Sequence, residues 1–128
     1  MEDSRAKILV VDDDPLLLSL LLDTLSAIGY EATGAHSGMR ALEILKSSAF
    51  DLMVTDIRMP ELDGLKLRDQ VKREWPEMPV VFITGVVYPD IIAQASPDGL
   101  LAKPFRIAQI EELIETTLNS ASLPSSSR

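Results

Sequence analysis

A short apolar run that stops at three consecutive carboxylates is the feature that most constrains the fold of this chain. Residues Ile8 to Val11 are apolar at consecutive positions, without alternation between apolar and polar side chains. Such a run is typical of a strand covered on both faces, as in a parallel sheet. Asp12, Asp13 and Asp14 follow directly and therefore lie at the carboxyl end of the predicted strand. Open α/β sheets place their ligands at this edge.

The three acids need not share one role. Asp14 precedes Pro15 and a leucine-rich run, and Asp at the N-cap with Pro at N1 is an ordinary helix start. We therefore predict that Asp14 caps a helix, which leaves Asp12 and Asp13 as candidate ligands. Clustered carboxylates repel unless a cation neutralises them, and hard oxygen donors suit a Mg²⁺-type ion. The alternative is that all three acids only decorate a strand–helix turn.

Composition limits the classes of function. The chain has 128 residues, 46% of them hydrophobic and 25% charged, as expected for one soluble globular domain. Its net charge of −8 argues against nucleic-acid binding by this domain. It contains no cysteine, so it has neither disulfides nor thiolate chemistry. No apolar run approaches the ~20 residues of a membrane span, and the first residues lack the apolar core of a signal peptide, so we expect a cytoplasmic protein.

Strands and helices are predicted to alternate along the whole chain, which indicates an α/β fold with a five-stranded parallel sheet flanked by helices on both faces. One domain is expected over residues 5–120, followed by a Ser-rich segment, residues 121–128, that is a disordered tail or the start of a linker. A fourth helix would be short, because Pro97 and Gly99 follow Pro89 closely. The predicted strands are Ile8–Val11, Tyr30–Ala35, Phe50–Thr55, Val80–Thr84 and Leu100–Ala102, and the predicted longer helices are Pro15–Ile28, Gly38–Lys46, Leu65–Glu74 and Ile107–Leu118.

Polar side chains stand at the ends of four of these strands. They are Asp12 with Asp13, Asp56, Thr84 and Lys103. In a parallel sheet all four ends lie at one edge, so three carboxylates and one ammonium are predicted to meet there. Taken singly, Lys103 could be a surface lysine and Thr84 an ordinary strand residue.

This constellation resembles the receiver domain of two-component response regulators. The resemblance covers about residues 5 to 120 and rests on five short motifs in order. They are Val-Val-Asp12-Asp13, Thr-Asp56-Ile-Arg-Met-Pro, Asp63-Gly64, Thr84-Gly85 and Lys103-Pro104-Phe105.

The resemblance implies a doubly wound, flavodoxin-like fold and a signalling function. Asp56 would accept a phosphoryl group from a sensor histidine kinase or a histidine phosphotransfer protein. Mg²⁺ or Mn²⁺ would be held by Asp12, Asp13, Asp56 and the main-chain carbonyl of Arg58. Lys103 and the Thr84 hydroxyl would contact phosphoryl oxygens, and the Lys103–Pro104 peptide bond would be cis. Such a domain is not an enzyme on separate substrates, because it promotes only its own phosphorylation and dephosphorylation.

Three features depart from the family pattern. The switch position, three residues before the lysine, usually carries an aromatic ring and here is Leu100. The segment between Thr84 and Lys103 is a few residues shorter than in most receivers, and the loss falls in the fourth helix. Arg58 and Val86 occupy the positions that flank the path of the attacking water, so the lifetime of the phosphoryl group is open.

The sequence also leaves two alternative functions to be weighed, and one candidate surface for binding a partner protein. A pseudo-receiver would act as a protein-interaction module without phosphorylation. A phosphatase of the haloacid dehalogenase type would need a second Asp where this chain has Arg58. Leu16 and Leu20 lie one turn apart, off the core stripe of the first helix, and are either scattered exposed residues or a docking patch for a phosphotransfer helix bundle.

Overall fold

The computed structural model of the chain describes residues 5–85, 90 and 98–122, except for the side chains of 121 and 122. These residues form five strands and four helices. The strands are β1 (Lys7–Val11), β2 (Glu31–Ala35), β3 (Leu52–Thr55), β4 (Val80–Thr84) and β5 (Gly99–Ala102). The helices are α1 (Pro15–Ala27), α2 (Gly38–Ser47), α3 (Gly64–Glu74) and α4 (Ile107–Ser122).

The strands pair in parallel in the order β2-β1-β3-β4-β5. The predicted five-stranded parallel sheet is therefore confirmed. Strand β1 has a partner on each side, whereas β5 lies at the edge of the sheet and pairs only with β4. All carboxyl ends of the strands consequently lie along one edge, where the sequence places its polar groups.

Alternate side chains of the strands enter two separate cores, one on each face of the sheet. Leu9, Met53 and Phe82 pack on one face against α2 and α3, whereas Ile8 and Val54 pack on the other face against α1 and α4. Because both faces are covered, the strands need apolar residues at consecutive positions, and β1, β3 and β4 have them.

The helix starts follow local capping chemistry. The Asp14 carboxylate accepts hydrogen bonds from the main-chain N–H groups of Leu16 and Leu17, at 3.1 and 3.4 Å, so the predicted cap of α1 is confirmed. The Ser37 hydroxyl accepts from the N–H of Arg40 at 3.1 Å in the same way.

Two details of the final helix differ from the prediction. Helix α4 continues to Ser122, four residues beyond the predicted end at Leu118 and into the stretch expected to be a tail. The spacing of Ile107 from Ile110 and Ile114 places it on the apolar side of this helix, but Ile107 is 57% exposed. It is the first residue of α4, and periodicity predicts which face of a helix is apolar but not how far along its length that face is covered.

The expected short fourth helix, Val86 and residues 123–128 lie outside the described residues. Within the described part of the chain, none of the helices is both long and apolar enough to span a membrane.

Candidate functional site

Strands β1 and β3 bring three carboxylates together at the carboxyl edge of the sheet. Asp12 and Asp13 follow β1 and Asp56 follows β3, and one oxygen of each lies within 4.8 Å of the others. Their exposure differs, since Asp12 is 2% exposed, Asp56 is partly buried and Asp13 is exposed. The site is therefore a cluster that is rooted in the core and open to solvent on the side of Asp13.

Lys103 reaches this cluster from the end of β5. Its Nζ atom lies 2.8 Å from Oδ2 of Asp56 and 3.4 Å from Oδ2 of Asp12. The Lys103–Pro104 peptide bond is cis, as the resemblance implied. Burial by itself lowers the pKa of the Lys103 ammonium, but the hydrogen bond to Asp56 and the charges of both acids outweigh it and raise the pKa. Lys103 therefore remains a cation at neutral pH and can bind an anionic group.

The folded chain disfavours the ionised form of the Asp12 carboxyl group. Burial raises its pKa, and the negative charge of Asp56 adds to the rise, whereas the Asp14 N–H, 2.9 Å from Oδ1 of Asp12, and Lys103 oppose it. Because the pKa is higher in the folded chain than in the unfolded one, ionising Asp12 destabilises the native state as pH rises through its folded pKa. A bound cation would offset that cost.

The backbone around Asp56 is held from several sides. Oδ1 of Asp56 accepts a hydrogen bond from the N–H of Ile57 at 2.7 Å, which leaves Oδ2 for Lys103. The Asp56 N–H donates to the Val11 carbonyl at 3.2 Å and thus joins the two acid-bearing strands. The Thr55 hydroxyl donates to the Asp56 carbonyl at 2.9 Å. These bonds fix the backbone and Oδ1 of Asp56, while Oδ2 contacts Lys103.

Gly64 is a site residue whose role sequence reasoning missed. Its N–H donates to the Ile57 carbonyl at 2.7 Å, and a Cβ atom at this position would overlap the Asp56 carbonyl oxygen. Asp63, which the sequence analysis gave only as part of the Asp63-Gly64 motif, caps α3 by accepting from the Lys66 N–H at 2.9 Å. The Asp-Gly pair therefore docks the start of α3 against the backbone of Asp56. An Asp followed by Gly and an apolar helical run was the available signal.

The remaining candidates lie around this centre. Thr84 is fully buried at the end of β4, and its carbonyl accepts from the Lys103 N–H at 2.9 Å. Arg58 is exposed and lines a shallow depression with Asp13, Met59, Pro60 and Asp63 beside the carboxylates.

Three other residues that the sequence singled out are apolar. Leu100 is partly buried and packs in the core beneath α2 and α3. Leu16 and Leu20 are 82% and 54% exposed on α1.

The donor set fits a hard divalent cation. Three carboxylates within 4.8 Å of one another supply the oxygen ligands that Mg²⁺ prefers, and the exposed Asp13 leaves an entry path. The ammonium of Lys103 lies on one side of Asp56 and can contact a second anion there. The arrangement can thus bind a divalent cation and an anion beside the Asp56 carboxylate, and the resemblance stated above implies that this anion is a phosphoryl group.

The comparisons with known proteins agree with this geometry. The family model described as "Response regulator receiver domain" matches residues 8–115. The chain is 35% identical over 125 residues to the transcriptional regulatory protein GlrR of Escherichia coli, covering 94% of this chain and 28% of GlrR. It is 36% identical over 118 residues to the response regulator protein PilR of Pseudomonas aeruginosa, covering 90% of this chain and 26% of PilR. The chain thus spans about a quarter of the length of these two regulators.

Solved structures show the same fold. The crystal structure of a receiver domain protein from Clostridium thermocellum matches with a TM-score of 0.83 at 30% identity, covering 90% of this chain and 95% of that one. The response regulator TrrA of Thermotoga maritima, solved with Mg²⁺ and BeF, matches with a TM-score of 0.81 at 28% identity, covering 88% of this chain and 98% of TrrA.

Proposed function

This chain belongs to the response regulator receiver family, and we propose that it is a phospho-acceptor whose nucleophile is Asp56. The observation that carries the proposal is the contact of Asp56 with Lys103, 2.8 Å long, within a cluster of three carboxylates at the open edge of the sheet. The proposed donors are a sensor histidine kinase or a histidine phosphotransfer protein. One relative of this chain is the sensor histidine kinase RcsC of Salmonella typhi, 31% identical over 110 residues, of which the match covers 12%.

The proposed reaction is the transfer of one phosphoryl group. A carboxylate oxygen of Asp56 forms a bond to phosphorus, while the bond from phosphorus to the imidazole nitrogen of phosphohistidine breaks. The electron pair leaves with the imidazole, and Asp56 becomes an aspartyl phosphate. With acetyl phosphate the leaving group is acetate. The chain acts on itself in this step and on no separate substrate.

Mg²⁺ or Mn²⁺ is the proposed cofactor, and Asp12, Asp13, Asp56 and the main-chain carbonyl of Arg58 would hold it. When bound, the ion would screen the electrostatic repulsion between the anionic carboxylate and the anionic phosphoryl group. The similar protein TrrA was crystallised in complex with Mg²⁺ and BeF.

Lys103 and Thr84 are the proposed contacts of the transferred group. The Lys103 ammonium would exchange part of its contact with Asp56 for a phosphoryl oxygen, in a charge-assisted hydrogen bond worth roughly 1.5–3 kcal/mol. The Thr84 hydroxyl would donate to another phosphoryl oxygen. Since Leu100 has neither a ring nor a hydroxyl, any response at the switch position would be a repacking of its aliphatic side chain in the core beneath α2 and α3.

The proposed docking surface for the histidine-bearing partner is the exposed pair Leu16 and Leu20. Leu16 is the second residue of α1, two positions after the capping residue Asp14 and therefore close to Asp13. Exposed leucines that become buried on binding contribute roughly 1.5–3 kcal/mol each when fully buried. A pair so near the site would bring the phosphohistidine of the partner to Asp56.

The first test is the intact mass of the chain after incubation with acetyl phosphate and Mg²⁺. We expect the wild-type chain to gain one phosphoryl group and Asp56→Asn to gain none, because the amide keeps the shape but not the nucleophile. Asp69→Asn, which changes an exposed acid on α3, is the control and should behave as wild type. If the wild-type chain took up no phosphoryl group, the pseudo-receiver would be the better description.

A further inference from the structure

Lys103 directly follows strand β5, which has the least burial and pairing of the strands that lead to the site. The strand has four residues, pairs only with β4, and has no fully buried side chain. An edge strand has a hydrogen-bonded neighbour on one side only, so fewer main-chain bonds hold its register. Yet the Lys103 ammonium at its end must lie 2.8 Å from Asp56. A register slip of two residues would move Lys103 by about 6.6 Å and remove that contact.

An ion pair ties the start of β5 to two other elements. Oδ2 of Asp98, the residue before β5, lies 3.0 Å from Nζ of Lys72 on α3 and accepts from the N–H of Val80 at 2.8 Å. The Asp98 N–H donates in return to the Val80 carbonyl at 3.1 Å. Nζ of Lys72 also donates to the carbonyl of Met78 at 2.9 Å. Asp98 and Lys72 thus bind the starts of β4 and β5 to the last turns of α3.

Gly99 adds a steric constraint at the same point. A Cβ atom here would lie 2.7 Å from Cδ1 of Leu113 and 3.0 Å from Cγ1 of Val81, so these side chains would have to shift to admit it. A register slip of two residues would keep every side chain on its own face of the sheet. In one direction, it would put Leu101 in the place that Gly99 now occupies. Only the observed register places glycine between α4 and β4.

From these contacts we propose that Lys72 and Asp98 are positioning residues, which set the register of β5 and thereby hold the Lys103 ammonium on Asp56. The inference deepens the proposed phospho-acceptor function and rests on it for its kinetic test. Neither residue touches the reacting atoms, because Asp98 and the Lys72 ammonium lie near the amino ends of β4 and β5, and the reacting atoms lie at the carboxyl ends of the strands. Their effect is expected to pass through the backbone of β5.

Strand β1 supplies the matched control. The Asp51 carboxylate accepts a hydrogen bond from the main-chain N–H of Lys7 at 2.7 Å. This bond lies at the amino end of β1 and matches the bond from the Val80 N–H to the Asp98 carboxylate at the amino end of β4. However, β1 is paired on both sides and its residues Ile8 to Val11 are buried, so its register does not depend on that bond. Removing Asp51 should therefore leave the placement of the site unchanged.

The kinetic test compares initial rates of phosphoryl uptake from acetyl phosphate with Mg²⁺. We expect Asp98→Ala to be about tenfold slower than wild type, because small misplacements of a reacting group are costly. Asp98→Asn keeps an acceptor for the Val80 N–H and should recover part of the rate, Lys72→Met should be slowed, and Asp51→Ala should match wild type. A wild-type rate in both Asp98→Ala and Lys72→Met would overturn the proposal.

A double variant tests the route through Lys103. If the ion pair acts by placing Lys103, then Asp98→Ala should add no further slowing in a Lys103→Met background, although each change slows the wild-type chain. A full additional loss in the double variant would contradict positioning through Lys103. Such an additional loss is the result expected if Asp98→Ala slowed the reaction only by destabilising the whole fold.

Hydrogen exchange separates this proposal from the proposed function. The Lys103 N–H, which donates to Thr84, and the β5 amides should exchange faster in Asp98→Ala, while the β1 amides keep their protection in Asp51→Ala. Unchanged protection of β5 would refute the register claim whether or not the chain is phosphorylated. Should Asp98→Ala fail to fold, Asp98→Asn and Lys72→Met serve in both measurements. If the wild-type chain took up no phosphoryl group, the proposed function would fail and exchange alone would decide the register claim.

Discussion

Strands β1 and β5 both bring charged side chains to the site, but they are held in place by different means. Strand β1 lies inside the sheet, and its apolar residues Ile8 to Val11 fix it between two cores. Strand β5 lies at the edge with side chains that are only partly buried, and its position depends on contacts with α3, β4 and α4. Asp12 and Asp13 therefore follow a strand that both cores hold in place, whereas Lys103 follows a strand whose position depends on contacts with neighbouring elements. The variants below change the two sides of the site separately.

The largest effect is expected on the β5 side, at the lysine itself. Lys103→Met keeps most of the aliphatic length but removes the ammonium that contacts Asp56 at 2.8 Å. We expect the rate of phosphoryl uptake from acetyl phosphate to fall on the order of 100-fold, as when one donor to a developing negative charge is removed. Lys66→Met, at an exposed position on α3, is the control. A rate within twofold of wild type would show that Lys103 is not needed.

On the β1 side, Asp13→Ala should abolish the response to Mg²⁺. In the wild-type chain, Mg²⁺ at ten times its Kd should stabilise the fold by about 1.4 kcal/mol, because the ion binds only the native state. The melting temperature would then rise by about 5 °C. Asp23→Ala removes an exposed acid on α1 and should retain the rise. A melting curve of the wild-type chain that does not move with Mg²⁺ would exclude a preformed cation site.

The sequence predicts the β1 side of the site almost completely. The run Ile8 to Val11 predicts a buried parallel strand, and the acids after it must then lie at the carboxyl edge. The same logic places Asp56 and Thr84, because β3 and β4 are also apolar at nearly every position. For these strands, local pattern and tertiary environment agree.

The β5 side is only partly predictable, because its determinants are distant in sequence. The Lys72–Asp98 pair joins α3 to the residue before β5, and the close packing at Gly64 and Gly99 comes from atoms of other elements. No spacing rule within one segment contains such contacts. The exposure of Ile107 has a related origin, since it depends on how far the neighbouring elements cover α4.

The helix that follows β1 offers a test of partner docking apart from chemistry. Leu16→Ser/Leu20→Ser should slow phosphotransfer from a histidine kinase by roughly tenfold or more, because two exposed leucines would no longer be buried on binding. The rate with acetyl phosphate should stay the same, since a small donor needs no docking surface. Met39→Ser changes another exposed apolar residue, on α2, and should affect neither donor. Equal slowing with both donors would assign the leucines to the fold or to the site.

The smallest effect is expected for the third acid of the run. Asp14→Ala should lower the free energy of unfolding by about 1 kcal/mol, because α1 loses the carboxylate that accepts from Leu16 and Leu17. Uptake from acetyl phosphate should continue at the wild-type rate, and Asp14→Ser should restore most of the stability. Loss of uptake in Asp14→Ala, with stability retained, would place Asp14 among the ligands instead of at the cap.

The most direct test of the site is to locate the phosphoryl group on the chain. After reaction with acetyl phosphate and Mg²⁺, borohydride reduces an aspartyl phosphate to homoserine, which tandem mass spectrometry identifies by position. We expect homoserine at residue 56 and aspartate at residues 12 and 13 in the same sample. Homoserine at residue 12 or 13, or at no residue of a chain that has gained phosphoryl mass, would contradict the assignment of Asp56 as the acceptor.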